Sequence, residues 1–177
     1  MAVSPARWGW HQLDPRWAQR VVADAALARG ALVLDVGAGL GALTGPLVDA
    51  GARVIAIEAH PARGALLRQR FGSSVVVVRA DARDLRLPNR PYSVVANPPF
   101  GVTSALLRRL FQPGSRLVSA RIVLQQQAAA RWAAPAAPGA ARWSRSFRVR
   151  LGMPIPRNAF TPRPHVPARV LVIQRIP

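Results

Sequence analysis

The chain has 177 residues, half of them hydrophobic, which is enough for one domain with a packed core. It carries 25 arginines, no lysine and seven acidic residues, and this net charge of +18 favours a polyanionic partner such as nucleic acid. Without cysteine it has no disulfide framework and no thiolate metal site, and it shows neither a signal peptide nor a membrane span, so we expect a metal-free cytoplasmic protein.

Hydrophobic periodicity predicts strands that alternate with helices along the chain. Helices are predicted from about residue 15 to before Gly30, and over 41–50, 60–71, 102–111 and 125–134. Strands are predicted over 31–36, 53–58, 75–78, 92–96, 117–124, 147–151 and 166–173. This alternation is typical of an α/β fold in which a mostly parallel sheet has helices on both faces.

We expect one domain in four consecutive parts. An N-terminal segment over 1–30 precedes a core over 31–133. Residues 134–146, rich in proline and glycine and without periodicity, are expected to form a flexible loop, and residues 147–177 supply the final strands.

The first candidate site is a glycine-rich turn, Asp-Val-Gly-Ala-Gly-Leu-Gly over 35–41, between a predicted strand and a predicted helix. Gly37 and Gly39 let the backbone turn tightly and a ligand approach the main chain. The same pattern satisfies the looser dinucleotide fingerprint, so a nicotinamide-dependent reductase is an alternative.

Two acidic positions follow the next two strands. Glu58, the only glutamate in the chain, ends the second strand, where a carboxylate accepts hydrogen bonds from both ribose hydroxyls of an adenosine-containing cofactor. Asp81 and Ala82 follow the third strand, where a carboxylate reaches the adenine amine of such a cofactor; loop capping is the alternative role for Asp81.

The tetrapeptide Asn97-Pro98-Pro99-Phe100 at the end of the fourth strand indicates the chemistry. Consecutive prolines hold the backbone extended and aim carbonyl groups into the cleft. The Asn97 side-chain oxygen and the Pro98 carbonyl would accept the two N–H groups of an adenine amine, and Phe100 would stack on the base. A structural Asn-Pro turn is the alternative reading.

These motifs together resemble the class I S-adenosylmethionine-dependent amino-methyltransferases, and further segments narrow the resemblance to the erythromycin-resistance (Erm) rRNA methyltransferases. Those segments are Trp-Gly-Trp-His-Gln-Leu at 8–13, Gln-Gln-Gln-Ala-Ala-Ala-Arg at 125–131 and Phe-Thr-Pro-Arg-Pro-His-Val at 160–166. Pro98 also favours Erm over the sister family that dimethylates small-subunit rRNA, which usually has leucine there.

The resemblance implies a Rossmann-like fold, S-adenosylmethionine as cofactor, and N6-methylation of an adenine in 23S rRNA, which gives resistance to macrolides, lincosamides and streptogramin B compounds. It implies that His11 and Leu13 contact the cofactor together with Gly37, Gly39, Glu58, Asp81, Ala82 and Asn97. Phe160 is implied to cover the target base. Erm proteins normally continue into a helical C-terminal domain, which we expect to be absent here.

We expect the enzyme to act as a monomer on 23S rRNA before ribosome assembly is complete. The candidate RNA-binding residues are Arg7, Arg16, Arg20, Arg108, Arg109, Arg142, Arg145 and Arg148. Guarding of a sheet edge is the alternative for Arg148. Other readings of the whole chain are methylation of small-subunit rRNA, DNA adenine or a protein glutamine amide, and a catalytically idle RNA-binding protein.

Overall fold

The computed structural model describes residues 11–177, so Arg7 and the two tryptophans before His11 lie outside the described residues. The helices are α1 (Pro15–Asp24), α2 (Thr44–Asp49), α3 (Pro61–Phe71), α4 (Thr103–Leu110), α5 (Gln126–Ala133) and α6 (Ala140–Trp143). The strands are β1 (Gln12–Leu13), β2 (Leu32–Val36), β3 (Arg53–Ile57), β4 (Val75–Val78), β5 (Tyr92–Ala96), β6 (Leu117–Gln125), β7 (Phe147–Ile155), β8 (Phe160–Thr161) and β9 (Ala168–Arg175).

Seven of the strands form one sheet in the order β4-β3-β2-β5-β6-β9-β7. The five strands from β4 to β6 in this order are parallel, whereas β9 runs antiparallel to β6 and β7 antiparallel to β9. The predicted mostly parallel α/β sheet is therefore confirmed. The chain order reverses between β2 and β5, and in such sheets the crevice outside the carboxyl ends of those two strands is where ligands bind.

Two hydrophobic clusters cover the two faces of this sheet. Alternate residues of β2 divide between them, with Leu34 and Val36 in one cluster and Val33 in the other. The buried leucines Leu106 and Leu110 of α4 pack in the first cluster, and Val21 of α1 packs in the second. The sheet is thus buried on both sides, as expected for parallel strands with near-continuous apolar sequences.

Helix α1 ends at Asp24, well before Gly30, and the last strand is shifted by two residues from its predicted range. Three further differences have a clear local cause. Helix α2 begins at Thr44 because residues 38–43 are used by turns after the glycine loop. Strand β7 extends to Ile155, beyond its predicted alternating part, and a register irregularity between Leu151 and Pro154 accommodates the added residues.

The third difference is α6, which lies within the segment 134–146 that we expected to be a loop. Trp143 and Ala137 are buried there, and the indole N–H of Trp143 donates to the Pro138 carbonyl at 3.0 Å. Local packing of an aromatic side chain therefore orders a segment whose prolines predict no regular structure.

No helix within residues 11–177 is long and apolar enough to cross a membrane.

Candidate active site

The glycine loop after β2 is held against both neighbouring strand ends. The backbone N–H groups of Gly37 and Ala38 donate to the Ile57 carbonyl at 2.8 and 3.0 Å. Gly37 has φ +76°, and a Cβ there would lie 3.0 Å from Cδ of Pro99 and 3.2 Å from Cα of Pro98. Only glycine combines this backbone with so close an approach, so the glycine loop and the Asn-Pro-Pro tip are in contact.

Glu58 is buried beside the loop, and both of its carboxylate oxygens are already oriented. The Gly39 N–H donates to Oε2 at 2.8 Å, and the His60 N–H donates to Oε1 at 2.8 Å. Arg63 lies 3.7 Å from Oε1. Because a carboxylate has about four lone-pair sites, Glu58 keeps acceptors for the hydroxyls of a ribose.

Asp81 has a different neighbour from the one expected. Its carboxylate accepts the Arg83 backbone N–H at 2.8 Å and the Arg83 guanidinium at 3.0 and 2.6 Å. These hydrogen bonds lower the pKa of Asp81. In this structure Asp81 caps the short 3₁₀ turn that contains Ala82, which was its alternative role, and its contact with a cofactor adenine stays a prediction.

Asp35, the first residue of the glycine motif, is a buried acid that the motif did not single out as a site. Its carboxylate accepts a hydrogen bond from the Thr44 hydroxyl at 2.6 Å. Burial, with a smaller contribution from the charge of Glu58, raises the pKa of Asp35 to about 7 against the opposing effect of Thr44. Its protonation therefore changes near neutral pH.

The side-chain amide of Asn97, at the end of β5, has its nitrogen hydrogen-bonded and its oxygen free to accept. Its Nδ2 donates to the His11 carbonyl at 2.8 Å. Neither Oδ1 of Asn97 nor the carbonyl oxygen of Pro98 accepts a hydrogen bond from any residue in 11–177. Both oxygen atoms at the tip can therefore accept hydrogen bonds from a ligand.

The N-terminal segment lies over this tip because of a small ribbon that the sequence did not predict. Gln12 pairs with Thr161 and Leu13 with Phe160, in antiparallel strands of two residues each. Strands this short have no readable periodicity, so only the paired contacts reveal them.

His11 reaches Phe100 from the same ribbon. Its Nδ1 lies 2.7 Å from the Pro162 carbonyl, and since a carbonyl only accepts, Nδ1 donates. Its ring stacks on Phe100 with centroids 5.6 Å apart. The structure therefore places His11 against the Asn-Pro-Pro-Phe tip.

A crevice opens between the loop and the tip at the reversal point of the sheet. It is lined by Gln12, Leu13, Asp35, Gly37, Ala38, Leu40, Ala42, Leu43 and Asn97. The close main-chain approach at Gly37 and the apolar wall formed by Leu13, Leu40 and Leu43 suit the methionine part of S-adenosylmethionine. The acid in this lining is Asp35 on β2. Five predicted cofactor contacts do not line the crevice: His11, Gly39, Glu58, Asp81 and Ala82. Glu58 adjoins it through the Gly39 N–H.

Phe160 is not arranged as expected for a residue that covers a base. Its ring is only 4 % exposed and packs in the cluster that also contains Leu13. Paired strands bring both side chains into the core, so Phe160 stabilises the ribbon here and offers no free face to a base.

The predicted RNA-binding arginines fall into separate groups. Arg16 and Arg20 are exposed on α1, with Arg20 over the Trp17 ring at 4.4 Å. Arg108 and Arg109 lie near the end of α4, and Arg109 donates to the Arg83 carbonyl at 3.3 Å.

Arg142, Arg145 and Arg148 lie on or just before β7, the terminal strand of the sheet. Arg148 pairs with Gln174, which pairs with Ser119, which pairs with Ser93. Ser93 stands four residues before Asn97, roughly 13 Å along the strand, and three strand spacings add roughly 14 Å sideways. The structure does not bring this group to the tip.

A seven-stranded sheet of this order, with a crevice for an adenosine cofactor at its reversal point, defines a Rossmann-like S-adenosylmethionine-dependent methyltransferase fold. The profile of the family "Ribosomal RNA adenine dimethylase" matches residues 11–177. The chain belongs to this family.

Similar proteins and a solved structure support the assignment to this family. An rRNA adenine N-6-methyltransferase of Corynebacterium diphtheriae is 36% identical over 147 residues, covering 81% of this chain and 58% of that protein. A ribosomal RNA small subunit methyltransferase A of Sphingopyxis alaskensis is 33% identical, covering 89% of this chain and 64% of its own length. The mycinamicin-resistance protein MyrB of Micromonospora griseorubida is 36% identical, covering 81% of this chain and 46% of MyrB.

The crystal structure of the 23S rRNA methyltransferase ErmE superposes with a TM-score of 0.80 and 26% identity, covering 92% of this chain and 68% of ErmE. The chain therefore spans roughly half to two thirds of the length of the curated relatives given above.

Proposed function

We propose that this chain transfers methyl groups from S-adenosylmethionine to N6 of an adenine in 23S rRNA, and so confers resistance to macrolides, lincosamides and streptogramin B compounds. The observation that supports the chemistry is the Asn97 tip. Asn97 Nδ2 is held by the His11 carbonyl, while Asn97 Oδ1 and the Pro98 carbonyl remain available beside the glycine loop.

These two acceptors suit an exocyclic amine, which has two N–H groups and a lone pair delocalised into the ring. Hydrogen bonds to Asn97 Oδ1 and Pro98 O draw the nitrogen toward tetrahedral geometry and free its lone pair. When bound, S-adenosylmethionine supplies a methyl carbon made electrophilic by the adjacent sulfonium. The new bond forms from the amine nitrogen to that carbon as the carbon–sulfur bond breaks.

The product nitrogen carries a positive charge and is acidic, so it releases its proton readily without a strong base. Phe100, half-exposed beside the tip, holds the base by stacking. His11 occupies a stacking position on the same ring, so it sets how the base is received.

Large-subunit rRNA as the substrate is supported by the similarity to MyrB and to ErmE, and by Pro98 in the catalytic tetrapeptide. The high positive charge supports a nucleic acid over a protein glutamine amide. We further propose that the enzyme is a cytoplasmic monomer and acts before ribosome assembly is complete, when the target base is accessible.

Methylation of small-subunit rRNA is the second candidate, because the Sphingopyxis alaskensis relative is a small-subunit enzyme of comparable identity. One experiment separates the two. The chain is incubated with methyl-labelled S-adenosylmethionine and deproteinised 23S or 16S rRNA, and the modified nucleotide is mapped.

We expect label at N6 of an adenine in 23S rRNA. Label in 16S rRNA alone would support the second candidate, and no label in either RNA would leave an RNA-binding protein of this fold. Expression in a macrolide-sensitive bacterium should raise its resistance, whereas Asn97→Ala should not.

A further inference from the structure

A second concave site lies near the amino ends of β6 and β7, away from the catalytic tip. We define the distal cleft by Arg108, Phe111, Ser115, Arg142, Trp143 and Arg175. Three arginines and no acidic residue line it. The surrounding sequence is equally one-sided, because residues 85–177 hold 15 of the 25 arginines and none of the seven acidic residues.

The floor of the distal cleft is a packed aromatic group. The Phe111 ring stacks on Trp143 with centroids 4.6 Å apart and meets Phe147 edge-on at 5.4 Å. Trp143 and Phe147 are buried, and the partly exposed Phe111 ring has one face covered by Trp143, so the rings mainly support the cleft. This geometry favours a ligand recognised by charge over one recognised by base stacking.

Arg175 is a fixed charge in this cleft. Its guanidinium lies 4.5 Å from the Phe147 ring centroid, and it donates to the carbonyls of Leu117 at 2.7 Å and Ser115 at 2.5 Å. Neutral acceptors orient the group without cancelling its charge.

Arg108 and Arg142 are free by contrast. Both are exposed, and neither guanidinium forms a hydrogen bond or an ion pair with any residue in 11–177. Two unpaired guanidinium groups beside a fixed third one would repel each other unless an anion joins them. Arginine forks match the oxygen atoms of a phosphate bidentately.

We propose that the distal cleft binds the phosphodiester backbone of RNA and forms a second contact, separate from the catalytic tip. The proposal rests on the proposed function for the identity of the polyanion. It adds a place where the RNA is held mainly through its backbone, because contacts of arginine to phosphate carry no sequence information. By the strand register, this place is roughly 20 Å from Asn97.

The test uses an adenine-free probe, a 20-nucleotide oligouridylate, which needs no recognition at the catalytic tip. Its affinity for the 177-residue chain and for Arg108→Ala/Arg142→Ala is measured by fluorescence anisotropy over a series of salt concentrations. Losing two phosphate contacts should reduce the magnitude of the salt slope by about 2 and the affinity by about tenfold or more at low salt.

The control is Arg53→Ala/Arg68→Ala, which removes two exposed arginines from β3 and α3 on the other half of the sheet. It changes the net charge equally, so it should reproduce only the general electrostatic loss. Arg108→Lys/Arg142→Lys should restore most of the salt slope. Equal slopes for the two alanine variants would overturn the distal cleft, as would unrestored binding by a folded lysine variant.

Activity separates this proposal from the proposed function. With an adenine-containing trinucleotide, too short to reach both places at roughly 3.4 Å per nucleotide, the alanine variant should match the parent chain. With 23S rRNA its kcat/KM should fall about tenfold, following the lost binding. Loss of methyl transfer by the parent chain on every RNA would refute the proposed function while leaving the oligouridylate result to judge the cleft.

Discussion

The two halves of the sheet differ sharply in their acidic residues. All seven acidic residues precede residue 85, in the part that carries β2, β3 and β4, whereas the part with β5, β6, β7 and β9 has none. The first half needs acids, because ribose hydroxyls and amines are recognised by carboxylates. The second half has no acid, which suits the proposed RNA contact, because a carboxylate there would repel phosphate.

Contacts between the halves use the few charges that are available. Arg121 on β6 is buried and forms an ion pair with Asp24 at 2.5 Å, and its Nη2 donates to the Asp24 carbonyl at 2.9 Å. At the carboxyl edge, the halves meet where Gly37 touches Pro98 and Pro99. The catalytic tip thus stands on the border between the acid-bearing half and the arginine-rich half.

The largest expected effect concerns Asp35 in the acid-bearing half. Its pKa of about 7 in the folded protein exceeds the value of 3.8 expected when unfolded. The neutral carboxyl therefore stabilises the fold at low pH, and this contribution is lost as pH rises from about 4 to about 7, by about 1.4 kcal/mol per pH unit. The total is about 4 kcal/mol.

Asp35→Asn keeps an acceptor for Thr44 and cannot ionise. Denaturant unfolding of the two proteins should give similar free energies at pH 4 and a more stable variant at pH 8. Because the other titrating groups are shared, the difference between the proteins isolates Asp35. Parallel pH profiles would show that Asp35 is not the buried acid that limits stability.

The second prediction concerns Asn97, at the tip where the two halves of the sheet meet. Asn97→Ala removes an acceptor used most strongly as the amine rehybridises, so kcat should fall on the order of 10²–10³-fold. Cofactor affinity, measured by calorimetry, should change by about tenfold at most, as for one neutral hydrogen bond. A larger loss of cofactor affinity than of turnover would move Asn97 from chemistry to binding.

The third prediction returns to the acid-bearing half. Glu58→Ala should weaken S-adenosylmethionine binding by about 1.5–3 kcal/mol, the size of charge-assisted hydrogen bonds. Asp49→Ala, which removes an exposed acid of the same half, is the matched control and should bind normally. Thermal unfolding must be checked, because Glu58 also accepts from Gly39 and His60. Unchanged affinity in a folded Glu58→Ala variant contradicts the assignment.

Local patterns were enough to predict the main sheet and the approximate position of the tip. The glycine loop, Glu58 and Asn97 follow strands, and parallel strands bring their carboxyl ends to one edge. The β1–β8 ribbon was not predictable, because two-residue strands carry no periodicity and its partners stand about 150 positions apart.

Side-chain partners were equally out of reach. The capture of Asp81 by Arg83, the raised pKa of Asp35 and the hydrogen bond from Asn97 to His11 depend on burial and on rotamers. The distal cleft likewise joins residues from α4, α6 and β9, which the sequence places far apart.

The smallest effect concerns Phe100, which is partly exposed beside the Asn97 tip. Phe100→Ala should weaken capture of the base by about 1–3 kcal/mol, the range for stacking on an aromatic side chain. The loss should appear in kcat/KM for RNA, while cofactor affinity is kept. Phe100→Tyr preserves the ring and should stay close to the parent chain. His11→Ala removes the ring that stacks on Phe100 at 5.6 Å but keeps the backbone carbonyl that orients Asn97, so its defect should be milder. The opposite result would be a parent-like kcat/KM for Phe100→Ala together with a reduced kcat/KM for His11→Ala. It would mean that His11, and not Phe100, holds the base.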